Sequence, residues 1–502
     1  MTKQSLQLAE DIPPSPFWLF VLRFGLAGVV IVFYLTAMLH YQYTPDDTYI
    51  YLQYAKNIAQ GEGFSFNAGI PSYGVMGPLW VLLLAIGARI GLDPFIVAKT
   101  FDVLFASLSI ILAQLVALHV TRHRFYSFFA AVFVGFDAWL LRWAGTGLET
   151  SLATFLVLMT LWNLVMRDAP LAAGSCGLLT LVRPEGVLFF ALVLVKAWEF
   201  GRIRDAQWRT LGYTLLFFLI IVVPWIFYAL ITFGTIVPNS YPARTFGMFD
   251  WRESVRAVAA SIQVLVGSQA VVCVFLGGGV FVAWLRNGAR FLWREAAPVA
   301  VVVALVAGDA VVGVRMLSRY LLPVIPVVVI YGLWGMQRLE EAFRIPFRRM
   351  VVVMCVVSVV VMVQNAVLFG TRAVPHIVNY TRGMDDCFRP MAYWLREHSE
   401  PDAVVLARDV GLLGYISDRV MYDTPGVITP AMHRAFAGRT DAEGIREHAY
   451  ETVVHPAFVV DAAPTRETLR LPNLDPVMTL EFPEPGFGTH DPVFYTLYRV
   501  LQ

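Results

Sequence analysis

Charge is what this chain has little of. Only 15% of its 502 residues are Asp, Glu, Lys or Arg, 58% are hydrophobic, and the mean hydropathy is +0.63. Such a composition excludes a soluble globule and describes a polytopic helical membrane protein. The net charge of +1 gives no bulk attraction to nucleic acid. Cysteine is scarce, at four residues. Cys176, Cys273 and Cys355 lie in apolar runs and only Cys387 in a polar region, so neither a disulfide framework nor a CxxC metal pattern follows. His376, His433 and His490 are scattered, without metal-ligand spacing. There is no nucleotide-binding glycine loop, no low-complexity stretch and no internal repeat. The polar leader before the first apolar run lacks a small-residue cleavage site, so that run is expected to be a retained span.

What is present is a succession of apolar runs, at 17–39, 95–120, 125–142, 150–166, 171–182, 186–199, 210–232, 262–285, 296–314, 320–337 and 350–369. A span needs about 20 apolar residues. The run 78–92 is short for one, and counting it would reverse the orientation of everything that follows. If it does not cross, one side of the membrane receives 14 Lys and Arg residues, including Arg122, Arg124, Arg167, Lys196 and the cluster Arg338 to Arg349, and the other receives 7. The positive-inside rule makes the first side cytoplasmic. About eleven spans are expected, in a plasma-membrane protein with its N-terminus inside and its C-terminal part outside, and 78–92 becomes a juxtamembrane or re-entrant helix. The halves 171–182 and 186–199 are separated by Arg183-Pro184-Glu185-Gly186, which predicts an external cavity sunk into the bilayer. Residues 1–371 form the expected membrane domain, with an external loop at 40–94.

From Arg372 to Gln502 the pattern changes. Short alternating runs at Ala403–Leu406, Val420–Tyr422, Ala457–Val460 and Phe494–Val500 predict strands, and Asp385–His398 and Asp441–Tyr450 predict helices. This describes a soluble extracytoplasmic α/β domain of about 130 residues, 372–502. Asp409 and Asp423 within it are expected to be turn residues.

Two adjacent carboxylates, Asp46 and Asp47, follow the first apolar run directly. Charge at a membrane surface is costly, so the pair marks a candidate site. Under the expected topology Glu149, Arg183, Glu185, Arg244, Arg315 and Arg319 share its side. One carboxylate near an acceptor hydroxyl serves as a general base, and arginines at the boundary suit a phosphate. Outside the cytoplasm, with no nucleotide loop, that phosphate points to a lipid-linked donor. The bland readings stand beside this one. Asp46-Asp47 also fits a helix start after Pro45, Glu149 a dipole-compatible helix end, and each arginine a side chain snorkelling to headgroups.

The segment Asp46-Asp47-Thr48-Tyr49-Ile50, followed by Gly61-Glu62-Gly63, Asn67-Ala68-Gly69 and Gly77-Pro78-Leu79-Trp80, resembles the first external loop of GT-C class glycosyltransferases. Gly147-Leu148-Glu149-Thr150, Arg183-Pro184-Glu185-Gly186, Val237-Pro238-Asn239-Ser240-Tyr241, Arg319-Tyr320-Leu321-Leu322-Pro323 and Asp409-Val410-Gly411 extend the resemblance in order. It is nearest to the branch that includes cell-wall arabinofuranosyltransferases and more distant from protein O-mannosyltransferases and lipid A aminoarabinose transferases. The resemblance implies a GT-C-like membrane enzyme that moves a single sugar, a pentofuranose such as arabinose or a hexose such as mannose, from a polyprenyl-phosphate carrier. The acceptor is a hydroxyl on a cell-envelope glycan, lipid or protein at the outer face, and the anomeric centre inverts.

By the same resemblance Asp46 is the general base, Asp47 its support and Glu149 a second acidic residue. Arg183 falls, by that resemblance, where a relative carries a cation near the donor phosphate. From their place at the outer boundary Arg244, Arg319 and Arg315 are expected to bind the same phosphate, and Tyr49, Glu185, Asn239, Tyr241 and Tyr320 are expected to contact acceptor or sugar. No cofactor is assigned, and a divalent ion (magnesium or manganese) between Asp46 and Glu149 is left open. The competing reading is a transporter or lipid-linked sugar flippase using the same charges, and a third is an inactive sugar-lipid binding subunit. Charges gathered on one face, with no inverted repeat, weigh against transport.

Overall fold

The computed structural model describes residues 35–36, 42–203, 206–241, 251–312, 317–466, 471–487 and 491–501. Most of the first apolar run, together with Arg244 and Arg315, therefore lies outside the described residues.

Apolar runs become helices because hydrocarbon offers no partner for a backbone N–H or C=O. Among the described residues, five helical segments are long and apolar enough to cross a membrane: Pro94–Thr121, Gln207–Phe233, Trp251–Val311, Ser318–Phe343 and Phe347–His398. Shorter apolar helices cover Pro78–Arg89, Arg124–Gly135, Thr150–Val165 and Ala169–Val182. The eleven expected runs are thus distributed differently. Runs 262–285 and 296–314 lie in the stretch Trp251–Val312 and are separated by kinks at Gly288 (φ 77°) and Ala296, with a further kink at Gln269 inside the first. Run 125–142 is split at Asp137, whose carboxylate accepts from Trp139 N and Leu140 N and so starts a new helix, Ala138–Trp143. Run 78–92 is a helix of 12 residues, about 18 Å long and short of the ~30 Å hydrocarbon core. The two short halves are Ala169–Val182 and Gly186–Ile203, with Arg183 to Glu185 turning between them. Helix Trp251–Val312 crosses the helix Ile325–Phe343 very closely at Gly279 and Gly335, where a Cβ on Gly279 would fall 2.1 Å from Gly335 Cα.

The helix that begins at Phe347 does not stop where the composition changes. It continues through two π-helical turns, Phe369–Ala373 and Met384–Phe388, to His398. The expected boundary at 371/372 therefore falls inside one continuous rod, and the helix expected over 385–398 is only its end. The i to i−4 ladder gives way to i to i−5 bonds in the two π turns, and Pro375 and Pro390 each fall just after one, where a missing N–H is tolerated. Beyond it lies a five-stranded sheet in the order β2-β1-β3-β5-β4, formed by β1 (Val404–Ala407), β2 (Val420–Asp423), β3 (Phe458–Ala463), β4 (Leu474–Phe482) and β5 (Val493–Val500). β1 runs parallel to β2 and β3, while β5 is antiparallel to β3 and β4. The register shifts between Pro476 and Met478, at the strand proline that cannot donate to the ladder.

Alternation along the strands divides the sheet into two faces. Leu406, Val459 and Tyr498 pack with Met432, Phe436 and Tyr450 in a small outer cluster. Val405, Ala407, Val460 and Leu497 turn the other way and join a single large core that extends back to Tyr43 and through the apolar helices. The sheet is therefore built onto the membrane part rather than hung from it.

Candidate active site

The helix Asp46–Gln60 carries both carboxylates in its first turn, where the macrodipole favours negative charge. Its position is fixed by a buried pair one turn apart on the helix Pro94–Thr121. Lys99 Nζ donates to Tyr43 O and Gly145 O, both at 2.7 Å, and Asp102 accepts from Gly147 N at 2.9 Å and Thr146 Oγ1 at 3.2 Å. Thr48 Oγ1 donates to Thr146 O at 3.1 Å. These bonds tie the segment that precedes Asp46 to the segment that precedes Glu149. Lys99 and Asp102 were not singled out in the sequence, although two charges three residues apart inside an apolar run are a signal of function or fixation.

The two adjacent aspartates face different partners. Asp46 turns towards the sheet part: its Oδ2 accepts from Gly411 N at 2.9 Å and its Oδ1 from Leu412 N at 2.8 Å, while its own N–H donates to Tyr380 Oη at 3.0 Å. Gly411 is required there, since a Cβ would lie 2.1 Å from Asp46 O. Burial, followed by the charge of Asp409, pushes the Asp46 carboxyl up to about 7, against the pull of the two N–H groups. Asp409 is buried as well and accepts from Tyr495 Oη at 2.8 Å, with its carboxyl raised mainly by burial. Asp47 instead receives Arg319 Nη2 on Oδ2 at 2.6 Å, and its side chain is 36% exposed. Both aspartates line a cavity of about 260 Å³, with Arg319, Arg408 and Asp409 as further polar walls. Asp409 is thus a wall of the site rather than the turn residue expected, and Asp423 both lines the same cavity and closes a turn by accepting from Val427, Ile428 and Thr429 N–H groups.

Beside Asp47 lies a second ion pair. Arg183 Nη2 donates to Glu149 Oε1 at 2.9 Å and to Thr150 Oγ1 at 3.3 Å, and both charged side chains are more than nine-tenths buried. Tyr320 connects the two pairs, with its ring centroid 5.5 Å from the Arg183 guanidinium and 5.3 Å from that of Arg319. Arg319 also feels the charge of Glu149. The Nε atoms of Arg183 and Arg319 are buried without a hydrogen-bond partner. Two guanidinium groups that each keep an unused donor form a place for an anion.

The remaining expected residues divide. Glu185 interacts with Asp309 and Tyr241, so it stays near Arg183, and its Oε2 is buried without a partner. Asn239 reaches the first loop through its backbone, N–H to Tyr73 O at 2.8 Å. Tyr49 is not brought to this cavity; it lines a separate one of about 250 Å³ with Phe95, Lys99 and Arg389. Asp46 is engaged by two N–H groups and Glu149 by Arg183, and among the described residues no cluster of three or more His, Cys, Asp or Glu could hold an ion.

Residues 378–493, from within the long helix to the last strand, match a family described as a domain of unknown function (DUF8728). No curated protein matches the sequence. Solved structures do. ArnT from Cupriavidus metallidurans bound to undecaprenyl phosphate gives a TM-score of 0.54 at 13% identity, over 96% of this chain and 98% of that one. The archaeal oligosaccharyltransferase AglB from Archaeoglobus fulgidus, in complex with an inhibitory peptide and a dolichol-phosphate, gives 0.55 at 12% identity, over 87% and 69%. The arabinofuranosyltransferase AftD from Mycobacteria gives 0.53 at 16% identity, over 98% and 42%. These are GT-C glycosyltransferases. The chain shares their fold. All three score alike, so the likeness is to the class rather than to one branch of it.

Proposed function

We propose that the protein is a GT-C glycosyltransferase of the plasma membrane, moving one sugar from a polyprenyl-phosphate carrier to an acceptor hydroxyl of the cell envelope at the outer face. The observation that carries this reading is the buried cluster Asp47–Arg319–Tyr320–Arg183–Glu149, with its unused guanidinium donors, beside an accessible carboxylate-walled cavity in this fold. Neighbouring folds bound to undecaprenyl phosphate and dolichol-phosphate support a lipid-phosphate donor.

The geometry favours an exchange of the roles the resemblance implies. A general base must come within hydrogen-bond reach of the hydroxyl it deprotonates, so access decides before basicity does. Asp46 is buried with both oxygens accepting backbone N–H groups, whereas Asp47 opens to the cavity. In this reading Asp47 is the base and Asp46 the anchor. Donor phosphate draws Arg319 away from Asp47, which makes that carboxylate more basic as the substrate arrives. The acceptor oxygen then bonds to the anomeric carbon and its proton passes to Asp47. The anomeric C–O bond to phosphate breaks, and its electron pair stays on the phosphate oxygen. Arg319 and Arg183 stabilise the charge that develops there.

The test is transfer from radiolabelled polyprenyl-phosphate arabinose and polyprenyl-phosphate mannose by membranes containing each variant. Asp47→Asn is expected to lower transfer about 10²–10⁴-fold, as loss of a general base does, with normal expression. Asp46→Asn is expected to retain part of the activity. The opposite order would restore Asp46 as base, and no transfer by the wild type from either donor would count against the function itself.

A further inference from the structure

A further cavity lies at the other end of the molecule. It measures about 630 Å³ and is lined near His119, twenty residues along the helix Pro94–Thr121 from Lys99. At 1.5 Å per residue that separation is about 30 Å, the thickness of a hydrocarbon core. None of the site residues described above touches it.

Six cations converge on this cavity from four stretches of chain: Arg122, Arg167, Lys196, Arg202, Arg290 and Arg294. Only two carboxylates, Glu199 and Glu295, accompany them. Lys196 Nζ is held by Glu199 at 2.9 Å and by the carbonyls of Trp293 and Arg294 at 3.2 and 3.3 Å. Arg294 lies 3.8 Å from Glu295. For Arg122, Arg167, Arg202 and Arg290 no carboxylate lies within ion-pair distance among the described residues. Arg122 and Arg167 also adopt positive φ, 53° and 60°, at turns where glycine or asparagine is the usual residue. The inner wall is apolar, with Val116, Leu161, Leu164 and Leu192.

The positive-inside rule explains cations along this face, but not their gathering around one apolar-walled hollow. Arg344, Arg348 and Arg349 stand clear of it. A cationic rim over an apolar wall complements an anionic head on a hydrocarbon tail, and four arginines without ion-pair partners among the described residues suit phosphate oxygens. We propose that this cavity binds the phosphate headgroup of a membrane lipid, either a phospholipid or a polyprenyl phosphate. It is a binding site separate from the transfer site and independent of the function proposed for that site.

The experiment is native mass spectrometry of the purified full-length protein from nanodiscs of phosphatidylcholine alone, or with phosphatidylglycerol or undecaprenyl phosphate added. Wild type is expected to retain one anionic lipid several-fold over phosphatidylcholine, and the lipid preferred names the source. R122Q/R290Q is expected to bring that retention down to the phosphatidylcholine level, while R348Q/R349Q, on exposed positions nearby, keeps it. Equal retention of anionic and zwitterionic lipid by the wild type, or unchanged preference in R122Q/R290Q, overturns the proposal. Displacement of the lipid by millimolar inorganic phosphate alone also overturns it, because the site would then read a soluble anion. Should R122Q/R290Q fail to fold, the wild-type preference decides by itself.

Discussion

At the scale of single residues, the contrast between Asp46 and Asp47 organises the site. Adjacent positions at a helix start point about 100° apart, so one carboxylate reaches the sheet part and the other reaches Arg319. The titration of Asp46 has a sign that can be checked. Its folded value of about 7 lies above the ~3.9 of an unfolded aspartate, so the folded chain holds the extra proton between those values. That contribution to stability is present at low pH and is lost as pH rises through about 7. The gap in unfolding temperature between wild type and Asp46→Asn should therefore narrow from pH 5 to pH 8, measured by thermal unfolding in detergent; a gap independent of pH would remove Asp46 as its source. The Glu149–Arg183 pair behaves differently because both partners are buried. Arg183→Ala leaves a buried carboxylate uncompensated and should cost about 3–5 kcal/mol, whereas the double variant with Glu149→Gln should recover part of it. Denaturant midpoints of the two variants decide the point.

At the scale of elements, the first loop is the piece on which the sheet part docks. Asn67 makes two bonds to the edge strand β2, Nδ2 to Met421 O at 2.8 Å and Met421 N to Oδ1 at 2.9 Å. Lys56 pairs with Asp418 at 2.8 Å. An exposed edge is thereby covered by an amide side chain that imitates a further strand. Asn67→Ala removes both bonds, with an expected cost of about 1–3 kcal/mol. Hydrogen exchange at Val420 to Asp423 should quicken while exchange in β3 stays unchanged; equal effects on both strands would mean a global loss instead. Gly411→Ala tests the same docking from the other side. Its Cβ meets Asp46 O, so the helix Gly411–Ser417 must shift, and protease cleavage between 399 and 430 should rise.

At the scale of the whole molecule, much of this arrangement was legible in order but not in depth. Apolar period and length gave the helices, and strands emerged at 404–407, 420–423, 458–463 and 493–500, close to the alternating runs. β4 was not foreseen, because Asp475, Pro476 and Glu481 interrupt the apolar alternation of the edge strand Leu474–Phe482. The break expected at 371/372 was a change of composition, whereas the backbone there continues as a helix.

The sequence by itself determined that the chain is a membrane protein, that acidic and basic motifs recur at the ends of its apolar runs, and that a mixed α/β part follows them. Those properties depend on composition and local period, which a linear chain displays. Only the tertiary structure decided which aspartate opens to the cavity, that Glu149 belongs to Arg183 and Asp47 to Arg319, and that Asp409 returns from more than three hundred residues away to wall the same site. Such pairings depend on the direction of side chains and on which buried donors reach which acceptors, and both are fixed only when distant elements pack.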